Sequence, residues 1–168
     1  MKLVVGLGNP GDKYLLNRHN VGAIILDEYF EKKSLEWERS AKMKGVFCKS
    51  GEVIFFKPEN YMNESGESVS LAANYFKIAP ADILVIHDDL DLPFGTVKKR
   101  FASGSAGHHG VESVISNLGT KDFWRLRVGI GRPTEFLPVE DYVLSNFTSE
   151  ELEKIKSLDF ENLLDPKA

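Results

Sequence analysis

One cysteine, Cys48, stands in a chain of 168 residues. A single thiol excludes a disulfide framework and a cysteine-based zinc site. Cys48 itself falls in a strand pattern, where a buried inert thiol is expected. Long apolar runs are missing too: none approaches the ~20 residues that a membrane-spanning helix needs. Met1-Lys2 leads straight into the first strand pattern, so no signal peptide is expected and a cytoplasmic location follows. There is no internal repeat, no low-complexity tract and no G-x-S-x-G serine elbow. The nearest stretch, Ser103-Gly-Ser-Ala-Gly107, has Ser where the first Gly is required. With no activated nucleophile in view, direct attack by a base-activated water remains as the hydrolytic chemistry.

What is present is a balanced globular composition, 42% hydrophobic and 27% charged, which predicts one domain over residues 1–168. The net charge of −4 is unevenly spread. Between Leu90 and Arg132 seven basic residues (Lys98, Lys99, Arg100, Lys121, Arg125, Arg127, Arg132) face three acidic ones. From Glu135 onward nine acidic residues outnumber three basic. Binding a phosphate backbone needs a basic face and not a basic protein, so composition permits an RNA partner without pointing to one.

Leu3-Val-Val5 with Leu7 reads as a buried strand cut off by Gly6, Gly8, Asn9, Pro10 and Gly11. Val21, Ile24, Ile25 and Tyr29 then predict a helix from about Asn20 to Lys33. Leu35 to Lys42 reads as an exposed connection. Gly45–Cys48 and Val53–Phe56 flank a Ser50-Gly51 turn as a hairpin. A second helix carries Val69, Ala72, Ala73 and Phe76. Ile83–Ile86 is a central strand ending in His87-Asp88-Asp89, and Thr96–Phe101 is a basic strand. A third helix follows His108-His109-Gly110, and Arg125–Gly131 alternates like a half-buried strand. Thr148-Ser-Glu-Glu151 is a capping box that opens a short last helix from about residue 149. Strands alternating with helices predict an α/β three-layer sandwich: a mixed, largely parallel twisted sheet flanked by helices.

In such folds ligands gather at the carboxyl ends of the strands. His19 lies on the loop leaving the first strand, and Asp88 leaves a second buried strand. An aspartate accepting from one ring nitrogen fixes the tautomer and makes the other nitrogen a better base, so His19 and Asp88 form a candidate general-base pair. Gly6-Leu-Gly-Asn-Pro-Gly11 matches the dinucleotide fingerprint G-x-G-x-x-G. It lacks the helix that must start within that motif, so a nucleotide cofactor is not expected. Asp88, Asp89 and Asp91 with His87 offer an alternative Mg²⁺ cluster for a phosphohydrolase. Asn63 stands before a helix and either caps it or donates to a substrate carbonyl.

Taken in series, several segments resemble the bacterial-type peptidyl-tRNA hydrolases. They are Val5-Gly-Leu-Gly-Asn-Pro-Gly11 with Tyr14, Arg18-His-Asn20, Pro58 with Tyr61-Met-Asn-Glu-Ser-Gly66, and His87-Asp-Asp-Leu-Asp-Leu-Pro93 with Gly95. Gly107-His108 with Gly110, and Phe123 with Arg125-Leu-Arg-Val-Gly-Ile-Gly131, complete the set. The resemblance implies an enzyme that cleaves the ester between a peptide and the 3′-terminal ribose of tRNA, with neither metal nor cofactor and as a monomer without an obligate protein partner. It implies His19 as the base and Asp88 as its partner. Asn9 would distinguish N-blocked from free aminoacyl-tRNA, Asn63 would bind near the reacting carbonyl, and Tyr14 and Tyr61 would touch the tRNA end or the peptide. Arg127, with Lys98 or Arg100, would bind phosphate. The chain departs from the family at His109, where Asn is usual; His109 either replaces that hydrogen bonding or weakens binding with pH. It also stops soon after Lys156, where the family continues into a longer helix bordering the substrate channel. A non-catalytic RNA-binding relative is the rival reading.

Overall fold

The structure, a computed structural model, describes residues 1–134 and 136–164. Glu135 and the last four residues, part of the acidic C-terminal stretch, lie outside the described residues. The elements are β1 (Lys2–Gly6), α1 (Val21–Lys33), β2 (Glu38–Ser40), β3 (Gly45–Ser50), β4 (Val53–Pro58), α2 (Ser65–Tyr75) and β5 (Ile83–Asp89). There follow β6 (Val97–Phe101), α3 (His109–Leu118), β7 (Trp124–Gly129), α4 (Val139–Val143) and α5 (Ser149–Ser157).

The seven strands form one sheet in the order β2-β3-β4-β1-β5-β7-β6. Its centre, β4-β1-β5-β7, is parallel, and the flanking β2, β3 and β6 pair antiparallel. Strands buried on both faces need no alternation, which is why Leu3-Val-Val5 and Ile83–Ile86 are continuous apolar runs. Leu3 and Val5 pack against α2 and α3 through Val69, Ala72, Val111 and Val114. Val4 lies in the opposite layer with Ile24 and Ile25 of α1 and Ile155 of α5. The result is the expected three-layer α/β sandwich.

Two glycines set how closely the layers approach. A Cβ on Gly22 would stand 2.3 Å from the Ile86 carbonyl oxygen, so only glycine lets α1 begin against the ends of β1 and β5. A Cβ on Gly66 would stand 1.9 Å from the Ser113 carbonyl oxygen, where α2 crosses α3.

Three details depart from the sequence pattern. Leu35 to Lys42 is not only a connection: Glu38-Arg-Ser40 pairs with β3 as an edge strand, held by backbone bonds that leave no apolar signature. β5 does not end at Ile86 but continues through Asp89, because β7 pairs with it as far as Gly129. β7 is more deeply buried than a half-exposed strand. Arg125 is 1% exposed, its Nη1 donating to the Phe123 and Lys121 carbonyls at 2.6 and 3.1 Å. Burial pushes its pKa down to about 10 and removes this residue from the basic surface. Among the described residues no helix is long and apolar enough to cross a membrane.

Candidate active site

The carboxyl edge of the parallel strands collects the chemistry. β1 ends at Gly6, and the chain turns through Asn9-Pro-Gly11 before two single 3-10 turns, Asp12–Tyr14 and Arg18–Asn20. No α-helix starts inside the glycine-rich turn. The turn instead presents Asn9 to Asn20: the Asn9 N–H donates to Asn20 Oδ1 and Asn20 Nδ2 donates to the Asn9 carbonyl, both at 2.9 Å. The Met62 N–H donates to Asn9 Oδ1 at 2.7 Å. A backbone N–H can only donate, so this contact assigns the Asn9 amide oxygen and turns its NH₂ away from Met62.

His19 sits in the second 3-10 turn with Nδ1 2.9 and 3.0 Å from the two Asp88 carboxylate oxygens. Asp88 is 3% exposed on β5. By strand parity it follows Leu84 and Ile86 toward the α1 layer, the side from which the His19 loop arrives. His108 Nε2 lies 2.8 Å from Asp88 Oδ1, while His108 Nδ1 accepts the Val111 N–H at 3.2 Å as the N-cap of α3. The cap fixes the tautomer: a ring nitrogen that accepts at Nδ1 carries its proton on Nε2 and gives it to Asp88. His87 lies alongside, its ring 4.9 Å from that of His108 and its Nδ1 2.8 Å from the Asp88 carbonyl oxygen.

The electrostatics follow from this packing. Burial opposes the charge on His19, but the Asp88 carboxylate and its hydrogen bond outweigh burial and raise the His19 pKa above its ordinary value. Burial works against the Asp88 anion as well. Attraction to His19 and His108 and hydrogen bonds from both rings nevertheless hold its carboxyl well below the usual carboxylate range. Burial, and then the neighbouring His108, push the His87 pKa down to about 4. With Nδ1 engaged by Asp88, His19 Nε2 is left as the basic nitrogen. His19, Asp88 and His109 border one cleft of about 120 Å³.

His19, Asp88 and His108 also place ligand atoms within 4.8 Å of one another, as a metal site would. The nitrogens that approach Asp88 do so at N–H···O distances, so a cation would have to displace both hydrogen bonds. The alternative cluster does not converge. Asp88 is engaged by two rings, Asp89 accepts from Arg127 Nε at 2.7 Å and from the Asp91 N–H at 2.8 Å, and Asp91 pairs with Arg132. Three carboxylates with three separate sets of partners do not face a common ion.

The other expected residues surround this cluster with fewer ties. Asn63 lies in the 3-10 turn Met62–Glu64, next to the residue that holds Asn9. It is exposed, and the α2 N-cap is Glu64 without a side-chain cap, so the Asn63 amide is not used for capping. Tyr14 and Tyr61 meet edge to face, ring centroids 6.5 Å apart, with Tyr61 largely exposed. His109, the first residue of α3, is exposed and 3.5 Å from Glu112. Lys98 is opposite Arg127 and Arg100 is opposite Arg125 in the β6–β7 ladder, so Lys98, Arg100 and Arg127 share one face of the sheet. None of these three hydrogen-bonds to His19 among the described residues; Arg127 is tied to Asp89, the neighbour of Asp88, and borders a pocket with His87.

Sequence reasoning gave no role to His108 or Asn20, although both stand in segments that carry the family resemblance; histidine is not among the preferred N-caps, so the His108 cap left no pattern to read.

Comparisons with known proteins agree with this geometry. The family model for peptidyl-tRNA hydrolase matches residues 3–164. The chain is 44% identical to a peptidyl-tRNA hydrolase of Desulfitobacterium hafniense over 162 residues, covering 94% of this chain and 86% of the relative. It is 48% identical to one of Geobacillus thermodenitrificans over 155 residues, covering 90% and 83%. The crystal structure of peptidyl-tRNA hydrolase from Acinetobacter baumannii superposes with a TM-score of 0.84 at 33% identity, covering 92% of this chain and 81% of that one. On the matched length, the identity and the shared fold, the chain belongs to the peptidyl-tRNA hydrolase family.

Proposed function

We propose that this chain hydrolyses the ester bond between a peptide, or an N-blocked amino acid, and the 3′-terminal ribose of tRNA, releasing free tRNA for reuse in translation. The observation that carries the mechanism is the His19–Asp88 pair, with the remaining ring nitrogen of His19 directed to catalysis. Nε2 takes a proton from water as its oxygen attacks the ester carbonyl carbon. The tetrahedral intermediate then breaks its bond to the 3′-oxygen, which leaves with the proton held by His19. An ester is a reactive acyl group, so a positioned base and an oriented water suffice and no metal is required. Asp88 holds His19 in the productive tautomer.

Around that centre, Asn9 offers its NH₂ to a carbonyl of the blocked amino group, and Asn63 donates near the reacting carbonyl. Tyr14 and Tyr61 provide an aromatic platform for the terminal base or the peptide. His109 contacts substrate where the cleft opens. Lys98, Arg100 and Arg127 take backbone phosphates of the acceptor end. The protein acts in the cytoplasm as a monomer with no obligate protein partner.

The test is release of N-acetyl-amino acid from N-acetyl-aminoacyl-tRNA, with and without EDTA. Turnover should persist in EDTA and fall by on the order of 10²- to 10⁴-fold in His19→Ala. Loss of turnover in EDTA would transfer the chemistry to a metal, and tRNA binding with no turnover would favour the non-catalytic relative.

A further inference from the structure

His19 belongs to a three-residue 3-10 turn, and one such turn has too few hydrogen bonds to fix its own position. Its placement therefore depends on what grips the residues beside it. Asn17 is 2% exposed and forms an isolated antiparallel bridge with Asn146, its Nδ2 donating to Asn146 Oδ1 at 2.7 Å. The Arg18 N–H donates to the Ser145 carbonyl at 3.0 Å, and the Phe147 N–H donates to the Leu16 carbonyl at 2.9 Å. Arg18 Nη1 donates to the Asn146 carbonyl at 2.9 Å, and Nη2 lies 3.1 Å from Glu151 Oε1. The guanidinium also stacks over Tyr142 and Phe147, 4.8 and 5.3 Å from their centroids.

The gripping segment is itself anchored. Glu151 Oε1 accepts the Thr148 N–H in the α5 capping box, and the Tyr142 hydroxyl donates to the Ile130 carbonyl just beyond β7. The His19 turn is thus tied through residues 142–151 to the sheet that carries Asp88.

We infer that residues 145–147 are a positioning bracket for His19, and that Asn146 is a positioning residue for ester hydrolysis, acting through the amide pair with Asn17. This rests on the reading of His19 as the base. Asn146 is exposed, so replacing it removes no core. What it removes is the acceptor for a buried amide: among the described residues Asn17 Oδ1 already has no partner, and without Asn146 Oδ1 the whole Asn17 amide is buried unpaired. Relief of that penalty comes from moving the loop, and the ring two residues on moves with it.

The experiment compares wild type, Asn146→Ala and Asn146→Asp, which keeps the accepting oxygen. Two readouts are taken: kcat and KM on N-acetyl-aminoacyl-tRNA, and solvent exchange of the proton on His19 Nδ1 by NMR. Asn146→Ala should lower kcat about tenfold at unchanged KM and speed exchange of that proton, with Asn146→Asp close to wild type in both. Unchanged kcat and unchanged exchange in Asn146→Ala would overturn the inference, as would an equal loss in Asn146→Asp. If the wild type shows no turnover at all, the assigned reaction fails, and the exchange rate alone decides whether the bracket holds the ring.

Discussion

Asp88 and Asp89 are neighbours on β5, yet each anchors a different kind of region. Around Asp88 the partners are two histidine rings, one held by the α3 cap and the other on a turn gripped by residues 145–147. Asp88 and His87 are buried there and the two partner rings are half-buried. Asp89 is buried too, but its partner Arg127 leads outward to Lys98 and Arg100, exposed on the edge strand. The first region must hold atoms at hydrogen-bond distances while a bond breaks, so restraint is what it needs. The second, on the proposed reading, meets a flexible polyanion, for which mobile side chains and a screened, long-range field serve better.

Replacing Asp88 with Asn should break the contrast most severely. His108 can present only an N–H, so the new amide in Asp88→Asn would turn its oxygen to His108 and its NH₂ to His19. His19 would then accept at Nδ1 and carry its proton on Nε2, where it is no base. We expect kcat to fall on the order of 10³- to 10⁴-fold with KM little changed. In the wild type the rate should climb as pH rises through the raised pKa of His19, since only the neutral ring is a base. In Asp88→Asn any residual activity should keep its midpoint at lower pH, because burial then acts without the carboxylate. A pH profile of kcat for both proteins checks the direction.

The enclosed region should also show itself in stability. His87 titrates near 4 when folded and near 6.5 when unfolded, so between these values the unfolded chain binds the extra proton. Stability contributed by keeping His87 neutral is complete above pH 6.5 and is lost as pH falls toward 4, by about 3 kcal/mol. His19 acts in a different window: its contribution is present below the unfolded value and is lost as pH rises through its raised folded pKa. Thermal midpoints measured from pH 7 to pH 4 should drop in the wild type and drop much less in His87→Gln. An unchanged slope in the variant would place the acid sensitivity elsewhere.

Arg100→Ala, and likewise Lys98→Ala, should have the smallest effect and the opposite pattern. On the proposed phosphate-binding role each removes one contact, so KM should rise about threefold to tenfold at moderate salt with kcat intact. The slope of log affinity against log salt should flatten by about one unit. A change in kcat instead would mean that the edge strand is part of the restrained region.

Much of this division was legible from residue types alone. The runs at Leu3–Val5 and Ile83–Ile86 identified the central strands because a doubly covered sheet admits nothing polar there. Thr148 with Glu151 identified the last helix because that pair satisfies two backbone donors at once. His19 and Asp88 stood out because both follow such strands. What stayed hidden depends on contacts between distant segments. His108 is selected by α3 geometry, Arg125 is buried because Phe123 and the Lys121 carbonyl receive it, and β2 exists only because β3 offers it a partner. The short α4 carries no buried residue, so it left no apolar period to read.

The outermost strands have a consequence of their own. A sheet that stops at β2 on one side and β6 on the other offers two outer rows of backbone groups, templates on which another chain can add a strand. Both rows are guarded by charge: Glu38 and Arg39 on three-residue β2, and Lys98, Lys99 and Arg100 in succession on β6. A strand arriving at β6 would have to bury or neutralise these cations, which favours an acidic, solvated polymer over a second sheet. The lysines and arginine proposed to meet RNA would thereby also oppose edge-to-edge stacking of copies of this protein.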